Sequence, residues 1–263
     1  MPIFRRPATP RAWEARVRVV ENLPLSLDFA RKRFVRDDAR VVVGDVVSVE
    51  RASHGAFVGI DGRPREVSAD VPRIADGIGL MIDPERQNEI PNPALVGAAV
   101  GIIGSGGALP SGWHVTDDMT SVEALAIGEM PGSDSRWPTI TLRLTCDNTE
   151  GVTQLSPRLR FAPDNGIPAE AGEAWAGSVF AQVLGSTALK TRLALLPRDA
   201  SGSAIVSTYA TLPTLFGRVG VSAVLPTSTV EVETALQLTV PAGTEAVLEL
   251  VLALPMLERG KAR

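Results

Sequence analysis

Three stretches of this chain alternate apolar and polar side chains with a strict period of two. In Thr139–Cys146 the even positions Ile140, Leu142, Leu144 and Cys146 are apolar, while Thr139, Thr141, Arg143 and Thr145 are polar. Val230–Val240 repeats the pattern: Val230, Val232, Leu236, Leu238 and Val240 point one way, Glu231, Glu233, Gln237 and Thr239 the other. Leu248, Leu250, Leu252 and Leu254 form a third row. Successive side chains of a strand leave opposite faces of a sheet, so the pattern predicts strands with one buried and one wet face. Both sheets of an antiparallel sandwich need such strands. No segment sustains a 3.6-residue period, and no internal repeat is apparent.

The chain therefore reads as all-β, with a small N-terminal β module over 1–88 and an antiparallel β-sandwich over 89–263. Glu14–Val20, Arg40–Glu50 and Ala56–Ile60 supply short strands to the module, and Asp61-Gly62 a tight turn. Ser121–Glu129, Ala174–Leu184, Thr191–Leu196, Ala204–Tyr209 and Leu215–Val224 are further strands of the sandwich. Prolines 157, 163, 168, 197, 213, 226 and 241 fall mostly between strands, which leaves the ladders their N–H donors.

Several function classes are disfavoured by what the chain carries. Its formal net charge of -4 offers no broad basic surface for nucleic acid. A lone Cys146 forbids an internal disulfide framework and fits assembly in a reducing cytoplasm. His54 and His114 are its only histidines, and neither accompanies a nucleophile elbow; His114, beside Trp113, reads as a strand-edge side chain. The basic start MPIFRRPATPRAW has no apolar core of a signal peptide, and later apolar runs are cut by Pro, Gly or charge, so no membrane segment is expected. Val100 to Gly107 imitates a dinucleotide fingerprint. The third glycine is replaced by Leu109, and Pro110 breaks the helix that should follow, so the segment reads as a flexible surface loop. The acidic pairs Asp37-Asp38, Asp117-Asp118 and Glu231 with Glu233 read as solvated charge, and no catalytic residue is assigned.

Gly79-Leu80-Met81-Ile82 leads into Arg86-Gln87-Asn88, Asn92-Pro93, a small-residue loop and Leu109-Pro110-Ser111-Gly112-Trp113. Two other stretches go with it: Arg51-Ala52-Ser53 through Phe57, Asp61-Gly62 and Val71-Pro72-Arg73, and the closing Pro255-Met256-Leu257-Glu258-Arg259-Gly260. Together, from about Leu27 to Gly260, they resemble fiber and head-spike proteins of tailed phages and of phage-like gene transfer agents. In that family the junction precedes a carbohydrate-binding jelly roll. Phe57 stands where the family commonly has Tyr, and Gln87 where it has Thr.

The resemblance implies a virion structural protein without enzymatic activity, assembled in the bacterial cytoplasm. It would act as a homo-oligomer, with a capsid or tail vertex protein and other spike subunits as partners, and would adhere to host surface polysaccharide. An architectural spike base or adaptor is the alternative. A polysaccharide-degrading enzyme is a remote one, for which the chain lacks the length of a separate catalytic module. No cofactor is required, although jelly rolls of this kind often hold a structural calcium, for which Asn92, Asp117 and Glu258 are oxygen donors. Sugars stack on exposed aromatic rings. Trp137, in a polar loop before the clearest strand, is the first candidate platform and Tyr209 the second, whereas Trp113 and Trp175 sit at core or half-core positions. The basic cluster Arg31, Lys32, Arg33 and Arg36, interleaved with Phe29 and Phe34, is a candidate partner-docking surface.

Overall fold

The computed structural model describes residues 25–28, 33–36, 39–42, 55–58, 64–67, 74–75, 79–80, 88–130, 137–162 and 166–260. The chain divides into two units, residues 1–61 with 65–82 and residues 62–64 with 83–263. Every regular element among the described residues is a strand. The all-β class expected from the period-two pattern is therefore the observed one.

In the first part of the chain, β1 (Leu25–Asp28) pairs antiparallel with β2 (Arg33–Arg36), from Leu25 opposite Arg36 to Asp28 opposite Arg33. The short β3 (Ala39–Arg40) lies on the other side of β2. Phe34 is buried, and its carbonyl accepts the Val41 N–H at 3.0 Å. β4 (Gly55–Val58) pairs with β5 (Pro64–Val67), and β6 (Ile74–Ala75) pairs antiparallel with β7 (Gly79–Leu80). The expected strand Glu14–Val20, the Asp61-Gly62 turn and most of Arg40–Glu50 lie outside the described residues.

The second unit is a jelly-roll β-sandwich. Its strands are β8 (Gly101–Ile103), β9 (Gly106–Gly107), β10 (His114–Val115), β11 (Ser121–Glu129), β12 (Pro138–Asn148), β13 (Arg158–Arg160) and β14 (Ile167–Pro168), followed by β15 (Ala174–Ser186), β16 (Lys190–Arg198), β17 (Thr208–Thr211), β18 (Gly217–Val224), β19 (Glu231–Thr239) and β20 (Thr244–Gly260). One sheet runs β18-β15-β20-β12-β11-β8-β9; the other runs β10-β13-β19-β16-β17, with β14 also on β19. The inner faces share one core: Ile140, Leu142, Leu248 and Leu250 come from the first sheet, Leu159, Leu193, Leu236 and Leu238 from the second. Each such leucine contributes roughly 1.5–3 kcal/mol on burial. Trp113 packs edge-on against Phe161 with ring centroids 4.7 Å apart, and Trp175 is buried in the same core.

The third alternating row needs a correction. Leu248, Leu250 and Leu252 enter the core, but Leu254 does not continue the row. Leu254 has φ 46°, and Leu254 and Pro255 together face the single residue between Ser178 and Phe180. This β-bulge shifts the phase, so an odd position, Leu257, is the next to reach the core. The bulge also brings two of the quoted motifs together. Asn88 Oδ1 accepts the N–H groups of Ile90 (3.1 Å) and Leu257 (2.9 Å), while Asn88 Nδ2 donates to the Pro255 carbonyl at 3.1 Å. The junction is thus stitched to the closing strand.

The glycine-rich segment carries strand pairing where a surface loop is expected. β8 and β9 pair in parallel at the edge of the seven-stranded sheet. A Cβ at Gly107 would collide with the Gly101 carbonyl, so close backbone approach, not phosphate binding, accounts for that glycine.

Candidate functional site

β19 runs through the middle of the six-stranded sheet. Its even positions Val232, Leu236 and Leu238 enter the core, so Glu233, Ala235 and Gln237 leave the opposite face. The neighbours follow the same rule. Leu159 sends Arg158 and Arg160 outward from β13, and Leu193 and Leu195 do the same for Arg192, Ala194, Leu196 and Arg198 on β16. Pairing then arranges these side chains in rows. Arg158, Gln237, Arg192 and Thr211 lie side by side across four strands. Arg160, Ala235, Ala194 and Tyr209 form the adjacent row, with His114 of the edge strand β10 opposite Arg160.

The alternation predicts a wet face here, and the floor of the face is dry. Glu233 is only 1% exposed, and Ala194, Leu196 and Ala235 are fully buried. Three guanidinium groups surround the carboxylate: Arg198 Nη2 lies 2.9 Å from Oε1, Arg160 Nε 3.4 Å from Oε2, and Arg158 Nη1 3.8 Å from Oε1. A lone buried carboxylate would cost several kcal/mol, and ringing it with cations offsets that cost. None of these contacts is aligned as a hydrogen bond, since both Glu233 oxygens lack a hydrogen-bond partner. Burial pulls the Arg158 guanidinium below its ordinary range; Glu233 opposes this, and Arg198 and Arg160 reinforce it.

Toward Lys190 the face opens. The Arg192 guanidinium sits 3.9 Å over the centroid of the Tyr209 ring, and its Nη2 reaches Thr239 Oγ1 at 3.4 Å. Tyr209 is 38% exposed. Beside this stack lies a cleft of about 550 Å³ whose lining includes Lys190, Arg192, Thr191, Thr211, Leu184 and Leu189. That volume suits a small ligand. Among the described residues, the lining contains neither a carboxylate nor a histidine nor an aromatic ring.

The two residues expected to offer aromatic platforms stand on different sheets. Tyr209 belongs to the six-stranded sheet and borders this site through Arg192. Trp137 immediately precedes β12 of the seven-stranded sheet, half-buried, its carbonyl accepting the Met130 N–H at 2.8 Å. In the basic cluster, Arg31 and Lys32 lie outside the described residues, Arg33 is exposed on β2, and Arg36 ends that strand opposite Leu25. Asn92, one of the proposed calcium donors, uses its carboxamide within its own loop. Its Oδ1 accepts the Val96 N–H, and its Nδ2 donates to the carbonyls of Val96 and Ser111. Asp117 is exposed. Among the described residues, no group of three or more His, Cys, Asp or Glu could hold a metal ion.

Sequence reasoning did not assemble Lys190, Arg192, Arg158, Arg160, Arg198, Glu233 and Gln237 into one face. A signal was present: Arg158 and Arg160, and likewise Lys190 and Arg192, are spaced by two, which puts each pair on one side of a strand. The expected strand Thr191–Leu196 stopped short of both its basic ends.

Fold and face together define a β-sandwich with a cationic, hydroxyl-rich cleft at the edge of one sheet. No protein-family model matches the chain, and no curated protein matches it. Among solved structures it is similar to the enzymatically active domain of tailspike protein 4 of bacteriophage CBA120 (15% identity, 57% of this chain and 20% of that one, TM-score 0.38). It is also similar to an arabinose-bound α-L-arabinofuranosidase (12% identity, 66% and 26%, TM-score 0.43). A third is a structure of carbohydrate-binding modules from the β-sandwich superfamily (10% identity, 74% and 77%, TM-score 0.40). This chain thus spans about a fifth and a quarter of the first two.

Proposed function

We propose that this protein is a non-catalytic glycan adhesin, a spike or fiber component of a phage or phage-like gene transfer agent, and that it binds host surface polysaccharide at the Arg192–Tyr209 end of the six-stranded sheet. The observation that carries the reading is the open cleft beside the stacked pair, where cations and hydroxyls stand next to exposed leucines. Pyranose rings present both apolar faces and hydroxyls, and such a lining answers both. Glycoside cleavage needs two carboxyl groups flanking the scissile bond, and the described residues of the cleft lining supply none. The spike assignment rests on the junction and closing motifs, which Asn88 joins. In this reading the N-terminal strands and the Arg31–Arg36 segment attach the protein to a capsid or tail vertex. Several copies on one virion then turn weak single contacts into firm adhesion.

The test is binding of the full-length protein to host capsule and lipopolysaccharide on a glycan surface, with Arg192→Ala and Tyr209→Ala in parallel. Saturable binding that both variants weaken about tenfold or more is expected, since one charge-assisted contact contributes about that much. An architectural adaptor is the second reading, favoured by the exposure of Leu184, Leu189 and Leu215, the last 79% exposed. Absence of glycan binding, with capture of another spike subunit abolished by Leu215→Asp, would establish that reading instead.

A further inference from the structure

We infer that the cleft selects acidic glycans, and that Arg192 with Lys190 receives a carboxylate- or phosphate-bearing sugar of the polysaccharide. This deepens the adhesin reading and rests on it. Lys190 and Arg192 are two residues apart on β16 and leave the same face of the sheet. Both line the cleft, together with the hydroxyl-bearing Thr191 and Thr211. Among the described residues neither cation has a carboxylate partner, in contrast to Arg143 and Arg259, which are paired. Arg192 stacks over Tyr209 and makes one long hydrogen bond to Thr239. The stack holds the guanidinium in place, which lowers the ordering cost of meeting an anion.

One further feature favours an anion over a neutral sugar. Among the described residues no aromatic ring lines the cleft, so the stacking that usually anchors neutral sugars is absent from these walls. Leu184 and Leu189 supply an apolar rim for the ring carbons of the sugar.

The experiment presents bacterial capsular polysaccharides to the full-length protein in three forms: native, carboxyl-reduced and dephosphorylated. Binding is measured at low and high salt for the native chain, Arg192→Gln, Arg192→Lys and Lys190→Gln. The expected result is binding to native acidic polymers that falls about tenfold or more when the anion is removed, the increment of a single charge-assisted contact. Which treatment abolishes it tells a uronate from a phosphoryl ligand. Arg192→Gln and Lys190→Gln should lose the preference for the acid form and the salt dependence with it, and Arg192→Lys should keep part of both. Circular dichroism melts that match the native chain separate this from misfolding, and Lys190→Gln, at an exposed position, serves where Arg192→Gln melts early. Binding that survives both treatments overturns the acidic selectivity and leaves the adhesin reading standing. Binding of no polymer in any form overturns both.

Discussion

Among the described residues, the two sheets use the same ions in opposite proportions. On the outer face of the seven-stranded sheet, Arg143 stands between Glu123 and Glu249, which lie directly opposite it on the flanking strands. Its Nη1 donates to Glu123 and its Nε to Glu249, each at 2.8 Å, and the three side chains are 32–43% exposed. Those carboxylates raise the Arg143 guanidinium above its ordinary range, the hydrogen bond it donates to Glu249 most of all. On the six-stranded sheet one buried carboxylate faces three arginines, without a single aligned hydrogen bond. The first arrangement is paired and wet. The second sets one buried carboxylate among three largely buried guanidinium groups, on a face that opens at Arg192. Glu173 falls between them: it is 19% exposed and accepts from the Glu170 N–H, the Trp175 indole and Arg259.

This ordering makes a graded series of expectations. Glu233→Ala should have the largest effect, a loss of about 3–5 kcal/mol, because three cations are left around an empty position. Urea unfolding would show the midpoint fall at constant slope; a loss below about 1 kcal/mol would mean that the buried cluster behaves like a surface one. Glu173→Gln comes next, at about 1–2 kcal/mol near neutral pH. Burial pushes the Glu173 carboxyl up, but the Glu170 N–H, Trp175 and Arg259 together hold it below the usual range. A carboxyl depressed in the folded state stabilises fully above its unfolded value and loses that contribution as the pH falls through the folded one. The gap between native chain and variant should therefore be full at pH 7 and close below about pH 4, where the unfolded carboxyl already binds its proton. Thermal melts across that range that keep a constant gap would contradict the hydrogen-bonded carboxylate. Arg143→Met should do least, with a small fall in melting temperature at low salt that fades at high salt. An effect rivalling that of Glu233→Ala would erase the distinction between the two faces.

Much of the sandwich could be read from periodicity. Ser121–Glu129 coincides with β11, and the rows in Thr139–Cys146 and Val230–Val240 identify β12 and β19. Pattern reading erred where one backbone conformation changed the phase, at Leu254, because period two assumes an uninterrupted pleat. It erred again at Glu233, since alternation says which face a side chain leaves but not whether that face is covered. Tyr209 was legible as a candidate, whereas its guanidinium partner was not: Arg192 meets it only through the β16–β17 register.

The sequence by itself determined the all-β class, most strand positions and the presence of a junction and a closing motif, because each of these is written in local alternation and short-range turn chemistry. Only the tertiary structure decided that Asn88 fastens the first motif to the second, that Arg158, Arg160 and Arg198 converge on Glu233, and that Lys190 and Arg192 stand beside an open cleft with no carboxylate partner among the described residues. Those outcomes depend on which strands lie side by side and in what register. That choice is made by burying the leucine rows of both sheets at once, a condition that no single segment encodes.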